Sequence, residues 1–254
     1  MGGRKMHNHG QRVLDVPYVE RNSNVCVEEG GYISKNITEL SDIDQSYRLR
    51  HQIFCQELGW VPETPDEKEI DEYDLYAIPF GVFDKDNRLM AYLRLIISDR
   101  PFMLEDIFSS LVSPEHKLRK DRSTAEVSRV CVAKEARRDG ISGNFGYHSV
   151  VVFLMKAVYQ WCKINNIRYF YAVTEHSVFR LSCAKGFPYK LIGEPKKMPD
   201  GVVAVAILMD WNDFERIHAA KRPKLLEWFN QSQPNQAQMQ SPQHESGLRR
   251  PIFA

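Results

Sequence analysis

Arg50, the rings of Phe54 and Trp60 and the carboxylates of Asp71 and Asp74 fall in one short stretch, and Arg94, Glu126 and Arg129 follow on strand-like segments. Such a set can hold a small substrate that carries both charges. Aromatic faces and carboxylates attract a cation, and a planar guanidinium meets a carboxylate in a two-pronged contact. Arg94 sits in the otherwise apolar run AYLRLI, where a buried cation demands a partner, so it is either a salt-bridge partner of Asp71 or Asp74 or part of the chemistry itself. Ordinary roles exist for the others too: a surface ion pair for Arg50, core packing for Phe54 and Trp60, turn capping for Asp71 and Asp74.

The rest of the chain bounds what these residues can do. With 254 residues and 43% hydrophobic composition there is enough apolar surface for one substantial globular domain. A formal charge of +1 argues against a general nucleic-acid binder. The five cysteines are odd in number, widely spaced and free of any CxxC pair, which suggests neither a disulfide framework nor a zinc site and is consistent with reduced thiols in a cytoplasmic protein. No window approaches the roughly 20 apolar residues of a membrane helix. Residues 1–30 read as a polar extension, 31–229 as the folded domain, and 230–254, rich in Gln, Ser, Pro and Asn, as a tail too polar to offset its chain entropy and therefore expected to be disordered.

The elements that must position the reactive residues follow from periodicity. Apolar residues spaced three and four apart predict an amphipathic helix over 41–58, with Ser41 as its N-cap and with Arg50 and Phe54 on one face. A loop over 62–68 leads into the acidic segment 69–74. Strands are predicted at 80–83 and 88–97 around an Asp-Lys-Asp-Asn turn, then at 126–132, 167–173 and 202–209. A long helix is predicted from 147 to about 165, and a short one over 177–185 closed by Gly186. The order predicts a three-layer α/β/α sandwich, an α+β or α/β fold. Strict alternation would send Glu126 and Arg129 to opposite faces, so they share a pocket only if a bulge or strand end lies between them.

Between the strand at 126–132 and the long helix lies a basic, Gly-bearing segment containing Arg137, Arg138 and Gly140. A strand running through such a loop into a helix can cradle an anionic linker such as phosphopantetheine, because backbone N–H groups and the positive helix end face it.

In content and order, YRLRHQIFCQELGW, EIDEYD, the strand arginine of AYLRLI, DRPFMLEDIF and EVSRVCV resemble the acyl-homoserine-lactone synthase (autoinducer synthase) family, which is related to GNAT-type acyltransferases. The likeness runs from about Tyr47 to Val132 and more weakly to about Asp210. It implies a GNAT-like sandwich with a mixed, largely antiparallel sheet. The implied reaction transfers an acyl group from acyl carrier protein to the amine of S-adenosylmethionine, closes the lactone and releases methylthioadenosine. S-adenosylmethionine is then a consumed substrate, with no cofactor and no metal, and the product is a quorum-sensing signal.

On this reading Glu126 is the first candidate for the base that deprotonates the attacking amine. Asp71, Asp74 and Arg94 stand with it in the catalytic group. Trp60 and the carboxylates attract the sulfonium. Arg50 or Arg129 pairs with the substrate carboxylate, Phe54 and Phe108 shape the pocket, and Ala172 and Val173 offer small apolar walls to the acyl chain. Lys117, Arg119, Lys120, Arg122, Lys134, Arg137 and Arg138 flank the Glu126 strand as a docking surface for an acidic carrier protein. The alternative is an N-acyltransferase that acylates another amine, such as an amino acid, and makes no lactone.

Overall fold

The computed structural model describes residues 23–138, 140–143 and 146–231. The antiparallel pair β1 (Cys26–Glu29), at one edge of the sheet, and β2 (Tyr32–Asn36) precedes helix α1 (Leu40–Arg50). Next come the hairpin β3 (Ile78–Phe83) and β4 (Leu89–Ile97), strand β5 (Thr124–Val132), a small hairpin of β6 (Gly140–Gly143) and β7 (Gly146–Ser149), and helix α2 (Val150–Ile164). The chain continues through β8 (Tyr169–Glu175), α3 (His176–Ala184), the two-residue strands β9 (Lys190–Leu191) and β10 (Lys196–Lys197), β11 (Val203–Asp210), α4 (Trp211–Lys221) and α5 (Pro223–Asn230). The main sheet runs β1-β2-β3-β4-β5-β8-β11-β10, with β9 also on β11. Every pairing in it is antiparallel except β5 with β8.

That parallel pair is the break in the sheet. β5 and β8 are in register only over Thr124–Val127 and Tyr169–Ala172. Beyond these residues β5 stays on β4 as far as Val132, and β8 stays on β11 as far as Glu175, so the two halves of the sheet part. Adjacent strand residues face opposite ways. Tyr92 therefore meets Arg50 at the end of α1 on one face, whereas Leu93, through its partner Phe80, lies over Trp161 of α2 on the other. The sheet is thus covered by α1 and the 98–123 segment on one side and by α2, α4 and α5 on the other, as the mixed three-layer sandwich requires.

Three expectations need correction. The helix over 41–58 begins at Leu40, with Glu39 rather than Ser41 in the cap position and no side-chain cap bond. Its second half, His51–Glu57, widens into a π-helix. Helical periodicity does not distinguish the two windings. The long helix starts at Val150, because Tyr147 to Ser149 form β7 and hairpin β6–β7 takes the place of a loop running directly into the helix. Gly140 permits it: a Cβ there would fall 1.9 Å from the Tyr147 ring. Finally, Cys26–Glu29, within the stretch read as an extension, is an edge strand with Val25 and Val27 buried. Residues 1–22 and 232–254 lie outside the described residues, so of the tail expected over 230–254 only Asn230, the last residue of α5, and Gln231 are described.

The sequence reading stopped at β11 and missed α4 and α5, although their signals are present. The Asp210 side chain accepts the Asn212 N–H at 2.9 Å at the start of α4, and Pro223 opens α5. Trp228 of α5 is fully buried. Its Nε1 donates to Glu29 Oε2 of β1 at 2.6 Å, and its ring stacks on His148 of β7 with centroids 4.0 Å apart. One indole thus ties the last helix to the first strand. Trp228→Ala is expected to lower stability by about 3–5 kcal/mol in urea unfolding. A loss below about 1 kcal/mol, the scale of ordinary surface changes, would show that α5 is not part of the cooperative fold.

Candidate active site

Local irregularities place the charged side chains. Asp71 and Asp74 form a reciprocal capping box on the short 3-10 turn Glu72–Leu75: Asp71 Oδ1 accepts the Tyr73 N–H at 3.0 Å and Asp74 Oδ2 accepts the Asp71 N–H at 2.9 Å. The capping reading was correct for both, and it leaves their remaining lone pairs for other partners. In the π-helical turn the Phe54 carbonyl accepts N–H groups from Trp60 and Val61 at 2.8 and 3.2 Å. Arg129 resolves the alternation problem. Its φ is +54°, and the register with β4 slips so that Tyr92 and Arg94 oppose Cys131 and Ser128. This bulge turns Arg129 to the face that carries Arg94 and Glu126.

The result is a buried cluster of three arginines and three carboxylates. Arg50 Nη1 and Nη2 donate to the two oxygens of Asp74 at 2.7 and 3.0 Å, and its Nε donates to Glu69 Oε2 at 2.5 Å. From the centre of β4, Arg94 grips Asp71 at 2.6 and 2.7 Å, reaches Asp74 at 2.6 Å and donates through Nε to Ser128 Oγ at 2.9 Å. Arg129 Nη2 donates to Glu69 at 2.9 Å and to Asp71 at 2.7 Å. Arg50 and Arg94 have no exposed surface, whereas the Arg129 side chain keeps 17%. Burial alone would lower the arginine pKa values, but hydrogen bonds to Asp74 and Asp71 hold those of Arg50 and Arg94 above the ordinary value. Asp74 is desolvated, yet Arg50 keeps its pKa below the ordinary carboxylate value.

Glu69, which lies in the quoted EIDEYD segment, was missed as a site residue. A count could have found it, since three arginines set against two aspartates leave an unmatched positive charge. The Arg94 expectation is resolved as a buried salt bridge with both aspartates. Arg129 is also distinctive, because its Nη1 donates to no group among the described residues.

Glu126 lies on β5 beside Tyr171 of β8, just before the strands part. Its Oε2 accepts the Met103 N–H at 2.5 Å and its Oε1 the Leu104 N–H at 3.1 Å, which anchors the loop over this face. Burial pushes its pKa up to about 7, with the two backbone N–H groups pulling the other way. No cation forms a salt bridge with it among the described residues. Its two backbone bonds leave lone pairs on both oxygens for a substrate proton.

The remaining site residues fall into three groups. Phe54 is buried and Trp60, 43% exposed, stacks on it with centroids 6.1 Å apart and an interplanar angle of 24°. Phe108 is half-buried against the small apolar cluster around Tyr171. Ala172 and Val173 diverge: Ala172 joins the α2 side and Val173 the Glu126 side. Arg137 is not a free cation, since it forms a fork with Glu57 at 2.5 and 2.6 Å, and Gly140 belongs to β6. Arg138 is exposed. Among the described residues no cluster of His, Cys, Asp and Glu has metal-binding geometry, and no helix is long and apolar enough to cross a membrane.

A family model described as autoinducer synthase matches residues 34–218. The chain belongs to the autoinducer synthase family. It is 28% identical over 204 residues to a probable acyl-homoserine-lactone synthase of Sinorhizobium fredii, covering 78% of this chain and 95% of that protein. Among solved structures, the CoA-dependent acyl-homoserine lactone synthase BjaI, with SAM and isopentyl-CoA, superposes with a TM-score of 0.60 at 25% identity, over 71% of this chain and 82% of that one. TofI, in a ternary complex with an inhibitor and MTA, gives 0.60 at 21% identity over 74% and 95%, a likeness of fold. As an autoinducer synthase the protein is an acyltransferase, and the expected mixed sandwich is the fold it shares with these structures.

The raised Glu126 pKa carries a stability consequence for this synthase. The folded state holds the proton more tightly than the unfolded chain, so that stabilisation is full below the ordinary value of 4.5 and is lost as pH rises through about 7. Between pH 5 and pH 8 the wild type is expected to lose roughly 2–3 kcal/mol relative to Glu126→Gln, measured as the difference between their urea unfolding free energies. A difference that stays constant with pH would mean that Glu126 titrates at its ordinary value.

Proposed function

We propose that this synthase makes an N-acyl-homoserine lactone, using acyl carrier protein thioester as donor and S-adenosylmethionine as acceptor. The observation that carries the reading is the placement of Glu126. A buried carboxylate with a pKa near 7 stands where β5 and β8 separate, on the same face as Arg129, whose Nη1 has no acceptor among the described residues. BjaI, described with SAM and isopentyl-CoA, supports the acceptor and shows that a relative can use CoA as its donor.

Each part of the acceptor has a partner. Its carboxylate pairs with Arg129, since Arg50 is spent on Glu69 and Asp74 and has no exposed surface. The sulfonium lies against Trp60, stacked on Phe54, and near Asp71, whose side chain keeps 20% exposure. Arg50, Arg94, Asp74 and Glu69 fix these contacts. Phe108 packs below the apolar end. The α-ammonium gives a proton to Glu126, and the free amine attacks the thioester carbonyl. Past Val127 the edge of β5 that faces β8 has no strand beside it among the described residues, so the N–H groups on that edge are available to the developing oxyanion. Collapse expels the carrier thiolate, which takes up the proton that the attacking nitrogen loses as the amide forms. Lactone closure then forms the bond from carboxylate oxygen to γ-carbon as the γ-carbon–sulfur bond breaks and methylthioadenosine leaves.

The gap between β5 and β8 admits the phosphopantetheine arm. Around it, Lys117, Arg122, Lys134 and Arg138 offer basic groups to an acidic carrier. Arg137 contributes indirectly, through its fork to Glu57 that holds the end of the π-helical turn against β5.

Incubation with carrier-protein and CoA thioesters of one acyl group tests the reading. The expected result is methylthioadenosine release in step with acyl-homoserine lactone, faster with the carrier protein. Acylated product without methylthioadenosine would point to acylation of another amine. Glu126→Gln is expected to lower turnover by about 100-fold or more, and wild-type kcat/KM should rise through an apparent pKa near 7. Turnover of the folded variant close to wild type would remove Glu126 as the base. Arg129→Lys retains charge but loses the fork, so KM for S-adenosylmethionine should rise about tenfold with the donor KM little changed. A rise confined to the donor would reverse the assignment.

A further inference from the structure

A second concave region lies in the helical layer, across the sheet from the arginine cluster. It is bounded by β7, the first turn of α2, the segment after α3, and helices α4 and α5, and it has a volume of about 450 Å³. That volume and an aromatic lining are typical of small-molecule sites. Phe187, Phe214 and Phe229 supply the apolar wall, and Lys185 and Arg222 the charge. Among the described residues no carboxylate lines it. Arg222 Nη1 donates to the Lys185 carbonyl at 2.6 Å, which brings the two basic residues together, and neither has a carboxylate partner among the described residues.

Two further groups are left unsatisfied in the same wall. Among the described residues, His148 Nε2 and Ser149 Oγ are buried without a hydrogen-bond partner, and Ser149, the residue before α2, makes no cap bond to the helix it precedes. Buried polar atoms in folded proteins are almost always paired, so two adjacent exceptions call for a missing partner. Both can donate. The cations, the unfilled donors and the lack of any lining carboxylate all favour a negative charge, and the phenylalanines favour an apolar body.

We propose that this cavity binds a small amphipathic anion, with an alkyl or aryl body against Phe187, Phe214 and Phe229 and a carboxylate or phosphate head between Lys185 and Arg222. The site is separate from acyl transfer and independent of the reaction proposed above. It sits where α5 joins α2, beside the stack of His148 on Trp228, so a bound anion would tighten the closure of the last helix on the fold.

Calorimetry on the full chain tests this, with octanoate, octyl phosphate and 1-octanol as probes. Saturable binding of at least one anion is expected, about tenfold weaker for octanol, and the tighter anion identifies the head group. Lys185→Glu and Arg222→Glu, both at exposed positions, should each weaken binding about tenfold without lowering the melting temperature of the free protein. Val152→Trp, which fills the cavity from α2, should do the same. Arg129→Ala reports on the transfer site and should leave binding intact. Absence of saturable binding, equal affinity for octanol, or loss in Arg129→Ala but not in Arg222→Glu would each overturn the proposal.

Discussion

The mutual neutralisation of Arg50, Arg94 and Arg129 by Glu69, Asp71 and Asp74 is the constraint on which the architecture depends. Two of the arginines have no exposed surface and two of the carboxylates nearly none, so each charge is tolerable only because the others are in place. Their desolvation is of a size that apolar replacements often avoid. What the ionic version supplies is position. The six groups come from the end of α1, the capped turn at 71–75 with Glu69 two residues before it, the middle of β4 and the bulge in β5. A displacement of any of these would strand a charge. The cluster therefore locks four separate stretches of chain into one geometry, which an apolar core of interchangeable contacts would specify less sharply.

That geometry needs backbone that departs from regular structure at three points. The π-helical turn follows Arg50 and brings Phe54 under Trp60. The bulge at Arg129 reverses the side-chain alternation of β5. The separation of β5 from β8 ends their ladder one residue past Glu126. Each departure leaves conformational or hydrogen-bonding cost in the strand or helix that carries it, and all three lie within the same site. Elsewhere the sheet follows its rules. β4 is buried along its whole length, and the α2 side is filled by interlocking aromatics such as Tyr159, Trp211 and Phe214.

The legible part of this structure was the part with period. The strands at 80–83, 88–97 and 126–132 were recognised because alternating and continuous apolar runs leave a pattern of two, and their observed ends differ by one or two residues. The same logic found α3 and its closing Gly186. The π-turn was invisible because its apolar spacing mimics an α-helix over so few residues. The β6–β7 hairpin was hidden because its glycines read equally well as a loop, and only the position of Tyr147 over Gly140 decides between them. In the site, the residue types and the need for a bulge were legible from charge and alternation. Which arginine remains available was not, since that depends on how Glu69 divides its lone pairs between Arg50 and Arg129.

Charge accounting links the cluster to the chemistry. The six paired groups sum to zero, so they offer orientation without net attraction or repulsion. Glu126 stands outside that balance, bound only by the Met103 and Leu104 N–H groups, and in its ionised form contributes one buried negative charge. An acceptor with a sulfonium, an ammonium and a carboxylate carries one net positive charge, which an ionised Glu126 matches. In the proposed reaction, moving the proton from ammonium to Glu126 replaces two buried charges with two neutral groups, a change that a low-dielectric setting favours. The environment that pushes the Glu126 pKa towards neutrality thus brings it close to the range of an α-amino group and makes the proton transfer less costly than to an ordinary carboxylate, and the balanced arginine cluster allows this by adding no net charge of its own to the site.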